Sequence, residues 1–134
     1  MKVGYKNTEI SIDIQTTDSN FGIKESDKWC LVKFKIKNID DYYEIEKEIL
    51  THNEITNTIL VIEQFLHEQK TKKTIIKYIK NFISITLYKR NKNKLLELKL
   101  IEPKNSQSEK KHHIIVFEEN EIKELLELLK SELQ

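Results

Sequence analysis

With 134 residues, 38% hydrophobic and 34% charged, the chain has the length of one domain and enough aliphatic side chains to bury its own core, which excludes a disordered or low-complexity polymer. A lone cysteine, Cys30, excludes an intramolecular disulfide and fits core packing in a reducing compartment; no apolar run reaches the roughly 18 residues of a membrane span, and Met1 to Ile10 lacks a signal-peptide core, so the expected location is cytoplasmic. The net charge of +1 conceals three blocks: residues 1–69 carry 8 Lys against 13 acidic residues (−5), residues 70–111 carry 13 Lys or Arg against 3 Glu (+10), and residues 112–134 carry 2 Lys against 6 Glu (−4).

Glu9 to Ile14 alternates Ile10, Ile12 and Ile14 with polar residues and reads as a first strand. Thr16 to Asp27 is a mostly polar connection containing Gly22, and a candidate contact surface. From Trp29 to Leu50 two alternating runs share a register. If positions summing to 81 face each other, Lys33, Lys35 and Lys37 oppose Glu48, Glu46 and Glu44, while Val32 and Ile36 oppose Ile49 and Ile45. One face is then a ladder of opposite charges and the other mainly apolar; Lys47 opposite Phe34 is the one misfit. Tyr42, Ile45 and Ile49 also fit helical spacing, which would extend the next helix back to Asp41, but the charge register favours a strand.

Ile55, Ile59, Ile62 and Leu66 recur at helical spacing behind a Thr51/Glu54 capping box, so a helix is expected over about 53–69. Thr74 to Ile79 is mixed, a short lead-in strand or a turn. A second hairpin pairs positions summing to 183, setting Ile83, Ile85 and Leu87 against Leu100, Leu98 and Leu96 around a turn at Asn91-Lys92. Glu102 to Lys111 reads as a loop and His112 to Phe117 as a last strand. Asn120 is then expected to cap an amphipathic helix whose stripe is Ile122, Leu125, Leu126, Leu129 and Leu133. The expected fold is α+β in a single domain over residues 1–134. It comprises one antiparallel sheet of about six strands in the order βββα-βββα, with both helices on one face.

The residues that carry chemistry do not converge. His112 and His113 are adjacent in a strand and point to opposite faces, and Glu63 and His67, four apart on a helix, lack further ligands, so no metal or cofactor is expected. Gly4 and Gly22 build no phosphate loop or oxyanion turn, and the acidic run is accounted for by the lysine ladder; the chain is not expected to be an enzyme. The basic middle block is either a functional surface or charge neutralised by acidic helices. Its densest part, Lys89, Arg90, Lys92 and Lys94 at the hairpin tip beside Tyr88, has a composition that binds single-stranded nucleic acid by phosphate contact and stacking, or simply keeps an exposed turn soluble. On the solvated face, Phe82, Tyr88, Leu95 and Ile101 are expected to lie exposed. Phe82, Tyr88, Lys89, Arg90, Lys92 and Lys94 are therefore the candidate partner-binding residues.

The arrangement of DKWCLVKFKIKN, EITNTILVIEQFL, FISITLY with LLELKL, and IIVFEENEIKELLELLKSEL resembles a family of small bacterial immunity proteins. These relate to proteins that guard a cell against its own wall-associated, contact-dependent toxins. The likeness runs from about Asp27 to Leu133 and departs from the family where Asn91-Lys92-Asn93 replaces a glycine turn. It implies a non-catalytic protein that binds and blocks a cognate toxin domain, with no catalytic residue to carry over. A nucleic-acid-binding module and a homodimeric adaptor are the other readings.

Overall fold

The alternation of isoleucines with charged residues produces strands wherever one face can be buried, and it does so twice. The computed structural model describes residues 1–16, 28–40, 42–68, 72–101 and 112–133. Its strands are β1 (Lys2–Val3), β2 (Thr8–Thr16), β3 (Trp29–Lys37), β4 (Tyr42–Thr51), β5 (Thr74–Ile76), β6 (Ile83–Arg90), β7 (Asn93–Ile101) and β8 (His112–Phe117). Helix α1 (His52–His67) follows β4 and helix α2 (Glu119–Glu132) follows β8, and a single 3-10 turn, Tyr5–Asn7, joins β1 to β2. The α+β class and the two helices are as the sequence implies, but the single six-stranded sheet is not. The strands form two antiparallel four-stranded sheets, ordered β1-β2-β3-β4 and β5-β6-β7-β8. The additional strands are the two shortest. Neither Lys2–Val3 nor Thr74–Ile76 is long enough to show alternation, and each exists because a longer neighbour, β2 or β6, offers it an edge.

The first hairpin departs from its expected register by two residues. Lys33 faces Glu46, Lys35 faces Glu44 and Lys37 faces Tyr42, with a bulge between Cys30 and Leu31. A shift of two keeps every side chain on its face, so alternation alone does not distinguish the two registers. The observed one sets Phe34 against Ile45 and moves the mismatch to Val32, which now faces Lys47. Lys47 reaches from the edge strand over the Phe82 ring, 5.1 Å from its centroid. The turn is tightened by Asp40 N–H donating to the Asn38 side chain at 3.1 Å. The second hairpin has the expected register throughout, with Asn91 and Lys92 both at positive φ, 51° and 69°, as a two-residue hairpin turn requires.

On the outer face of the first sheet Lys33 Nζ lies 3.2 Å from Glu44 and 3.8 Å from Glu46. The Glu44 carboxyl is held below the usual carboxylate range, first by the Tyr42 hydroxyl donating to it at 2.5 Å and then by Lys33. A depressed carboxylate stabilises the fold above its ordinary pKa, and that contribution is lost as pH falls through the lowered value. In Lys33→Ala the Glu44 midpoint, followed by side-chain NMR, should rise only part of the way to that of a free glutamate, because the Tyr42 bond remains. Full recovery would mean that the lysine alone sets it.

One core joins both sheets and both helices. β2 contributes Ile10, Ile12 and Ile14, β3 contributes Val32, Phe34 and Ile36, and α1 contributes Ile55, Ile59, Ile62 and Phe65, with α2 packed against both β2 and β7. The second sheet supplies Ile83, Ile85, Leu87, Leu96, Leu98 and Leu100 against Ile122, Leu125, Leu126 and Leu129 of α2. Each fully buried aliphatic side chain stabilises by about 1.5–3 kcal/mol relative to exposure. Thr58 and Tyr78, polar residues in this core, satisfy each other with a 2.7 Å hydroxyl contact, and burial pushes the Tyr78 phenol well above its ordinary range.

Both helices begin with a capping box, and both boxes do a second job. Glu54 accepts from Thr51 N–H at 3.0 Å, and its other oxygen accepts from Ile79 N–H, just beyond β5, at 2.8 Å. The cap of α2 is Glu118, two residues before the expected Asn120; Glu121 accepts from Glu118 N–H at 2.9 Å and also from Gly4 N–H, just beyond β1. Each half of the chain thus uses the third residue of its helix to hold the segment after the first strand of the other half. This residue-level correspondence supports reading the two ββββα halves as a repeat.

Candidate functional site

The outer faces of the two sheets carry opposite chemistry. On the first, Glu9, Ser11 and Asp13 lie beside Lys33, Lys35 and Lys37, and these beside Glu44 and Glu46, so the face is mainly charged, with Leu31 half-buried and Tyr42 exposed on it. On the second, the rows that follow from the register are Ile75-Thr86-Glu97-Val116, Ser84-Lys99-Ile114 and Tyr88-Leu95. Ile75 is 53% and Ile114 44% exposed, and Tyr88, Leu95, Ile101 and Val116 are half-buried. A shallow hollow of about 500 Å³ lies among Lys73, Thr86, Tyr88, Lys89 and Glu97.

The six candidate residues do not form one patch. Phe82 and Tyr88 lie six residues apart along a strand, roughly 20 Å. Phe82 packs against the core with Lys47 over its ring, and is half-buried where the sequence suggests exposure; so are Tyr88, Leu95 and Ile101. Lys94 points to the helix side, where Nζ donates to Leu66 C=O at 2.6 Å and lies 5.8 Å from the Phe65 centroid. It serves the C-terminal end of α1, where orphan carbonyls favour a cation. Lys89, Arg90 and Lys92 are exposed at the hairpin tip, and Tyr88 stands on the outer face beside it. The tip overhangs Glu118, Glu119 and Asn120 across a cleft of about 430 Å³. Acidic neighbours and a helix terminus already occupied by its capping box make that cleft a poor anion site.

Ile75, Ile114 and Val116 were missed as surface residues. In TII and HHIIVF both alternating positions are apolar, so periodicity cannot say which isoleucine faces out; only pairing with β6 and β7 decides it. The candidate contact surface Thr16 to Asp27, except for Thr16, and the expected loop Glu102 to Lys111 lie outside the described residues. Among the described residues no three His, Cys, Asp or Glu side chains gather as a metal site. His113 stacks on Tyr43 at 4.0 Å, Glu63 pairs with Lys130 at 3.2 Å, and Cys30 is buried. No helix among the described residues is long and apolar enough to cross a membrane. Comparison with protein-family models, curated proteins and solved structures gives no match.

Proposed function

We propose that the chain is a non-catalytic immunity-type protein of the bacterial cytoplasm that binds and neutralises a cognate toxin domain through the outer face of its second sheet. The observation that carries this reading is the composition of that face. Isoleucine, leucine, valine and tyrosine side chains, two of the isoleucines well exposed, stand in a basic surround, while the corresponding face of the first sheet is dominated by paired charges, with Leu31 and Tyr42 its apolar members. Apolar and aromatic side chains ringed by charge are the usual composition of a protein-binding surface. A nucleic-acid reading is less well supported, because the face has one tyrosine for stacking and Lys94 is engaged with α1.

The test is to mix the purified chain with the C-terminal domain of a secreted protein encoded directly upstream. A stoichiometric complex and loss of that domain's toxicity are expected; no complex at micromolar concentrations, or salt-sensitive nucleic-acid binding instead, overturns the proposal. Within the complex, Tyr88→Ala should raise the off-rate about tenfold or more, and Lys92→Glu should mainly lower the on-rate. Both variants should remain folded, and unchanged rates in both would move the interface off this face.

A further inference from the structure

The manner in which such a partner is held can be read from the backbone of the second sheet, and this step rests on the binding role just proposed. Ile101 N–H donates to Phe82 C=O at 2.8 Å. In an antiparallel ladder, residues that exchange bonds with one neighbour alternate with residues that do not. The even-numbered residues of β6 therefore turn their amides toward β7. Ile85 and Leu87 turn theirs toward β5, where they meet Ile76 and Thr74. Ile75 lies between those two, so its N–H and C=O point away from β6, to the side of β5 on which no described strand lies.

The sheets' other edges differ. β1 pairs only with Thr8 and Glu9, and beyond Ile10 that edge is β2, whose exposed side chains Ser11, Asp13 and Gln15 are polar and offer no apolar anchor. β4 is crossed by the second half of the chain, with Tyr43 on His113, Lys47 over Phe82, and Lys80 donating to Glu48 C=O at 2.6 Å. The same stack places Tyr43 against β8. At β5, Lys72, Lys73, Thr74, Ile75 and Lys77 are all exposed, including Thr74, whose side chain is on the helix side of the sheet. An exposed strand edge of this kind templates further pairing. Its charge selects what can pair: residues 72–101 hold nine Lys or Arg and one Glu. A second copy placing β5 against β5 would oppose lysine to lysine, which is unfavourable.

We infer that the β5 edge receives an extended acidic segment of the partner protein, which adds a strand beside Thr74–Ile76. Ile75 exchanges main-chain hydrogen bonds with the incoming strand, and its side chain anchors an apolar residue on the outer face. Lys72, Lys73 and Lys77 meet carboxylates flanking that residue.

Panning a random-peptide library against the whole protein tests this. Enriched peptides should be extended, with acidic residues on either side of an apolar one, and Lys73→Glu with Lys77→Glu should reduce their binding about tenfold or more. Ile75→Pro removes the outward N–H yet keeps the bonds between β5 and β6, so it should melt within about 5 °C of the parent. Ile75→Ala removes the side chain and keeps the N–H. Strand addition requires proline to weaken peptide binding about tenfold more than alanine does. Equal losses in the two variants, enrichment without acidic bias, or no enrichment overturns the inference. A toxin-domain complex of unchanged affinity in Ile75→Pro also overturns it while leaving the proposed function standing. Peptide capture without any toxin-domain complex does the reverse.

Discussion

Replacing Phe117 by alanine should destabilise the protein by about 3–5 kcal/mol, the usual cost of deleting a buried aromatic ring and leaving its cavity. Phe117 is 0% exposed, closes β8 opposite the equally buried Leu96, and lies one residue before the cap of α2. Its neighbours belong to a sheet on one side and a helix on the other, and neither can move in to fill the space without breaking a ladder or a cap. Against a total of about 5–15 kcal/mol, such a loss leaves a marginal fold. Urea unfolding should show a lower midpoint with an unchanged slope, and Phe117→Leu should lose only about 1–2 kcal/mol. Equal losses in both variants would mean that the site responds to ring chemistry and not to volume.

Glu54→Ala should cost about 2–3 kcal/mol, more than an ordinary helix cap. One carboxylate oxygen holds Thr51 N–H at 3.0 Å and lies 3.3 Å from the Thr51 hydroxyl; the other holds Ile79 N–H at 2.8 Å. A lost cap accounts for about 1 kcal/mol and a hydrogen bond to a charged acceptor for about 1.5 kcal/mol or more. Glutamine keeps the shape but has a single carbonyl oxygen, so one of the two N–H groups faces a donor; Glu54→Gln should recover about half the loss. Amide exchange at Ile79 should accelerate beyond the global destabilisation in Glu54→Ala. If Ile79 tracks the rest of the molecule, the glutamate is only a cap.

Much of this fold can be read from spacing because the chain is built from local patterns. The second hairpin was legible to the residue: three apolar pairs and a two-residue turn admit one register. The first hairpin was legible in its faces and not in its alignment, since a shift of two residues conserves every face and the deciding pair, Phe34 with Ile45, matters only once the core is closed. Two sheets in place of one could not be read from strand count, because alternation specifies that a strand has a buried face and says nothing of which neighbour completes its edge. Among the candidate binding residues, Tyr88, Lys89, Arg90 and Lys92 lie on or beside the hairpin tip as expected. Lys94 was drawn away by the carbonyl of Leu66 and Phe82 by the cation of Lys47, partners 28 and 35 positions distant in the chain. Ile75 and Ile114, adjacent to other isoleucines, gave no local sign of facing outward.

The bond between Gly4 and Glu121 joins groups 117 positions apart, and this ties the molecule's completion to the direction of its synthesis. The donor is synthesised 117 residues before the acceptor, which emerges only when α2 is being made. Until then β1 is held by its two-residue ladder and by Ile10 N–H donating to Met1 C=O at 2.8 Å. The edge of β4 stands open for a shorter interval, until Lys80, Phe82 and His113, which cross it, have been made. A nascent chain ending before Lys80 therefore presents the ten-residue β4 without the groups that later cross it. A chain halted before Lys80 should therefore associate with neighbouring copies through β4, so the second half of the chain also shields the first.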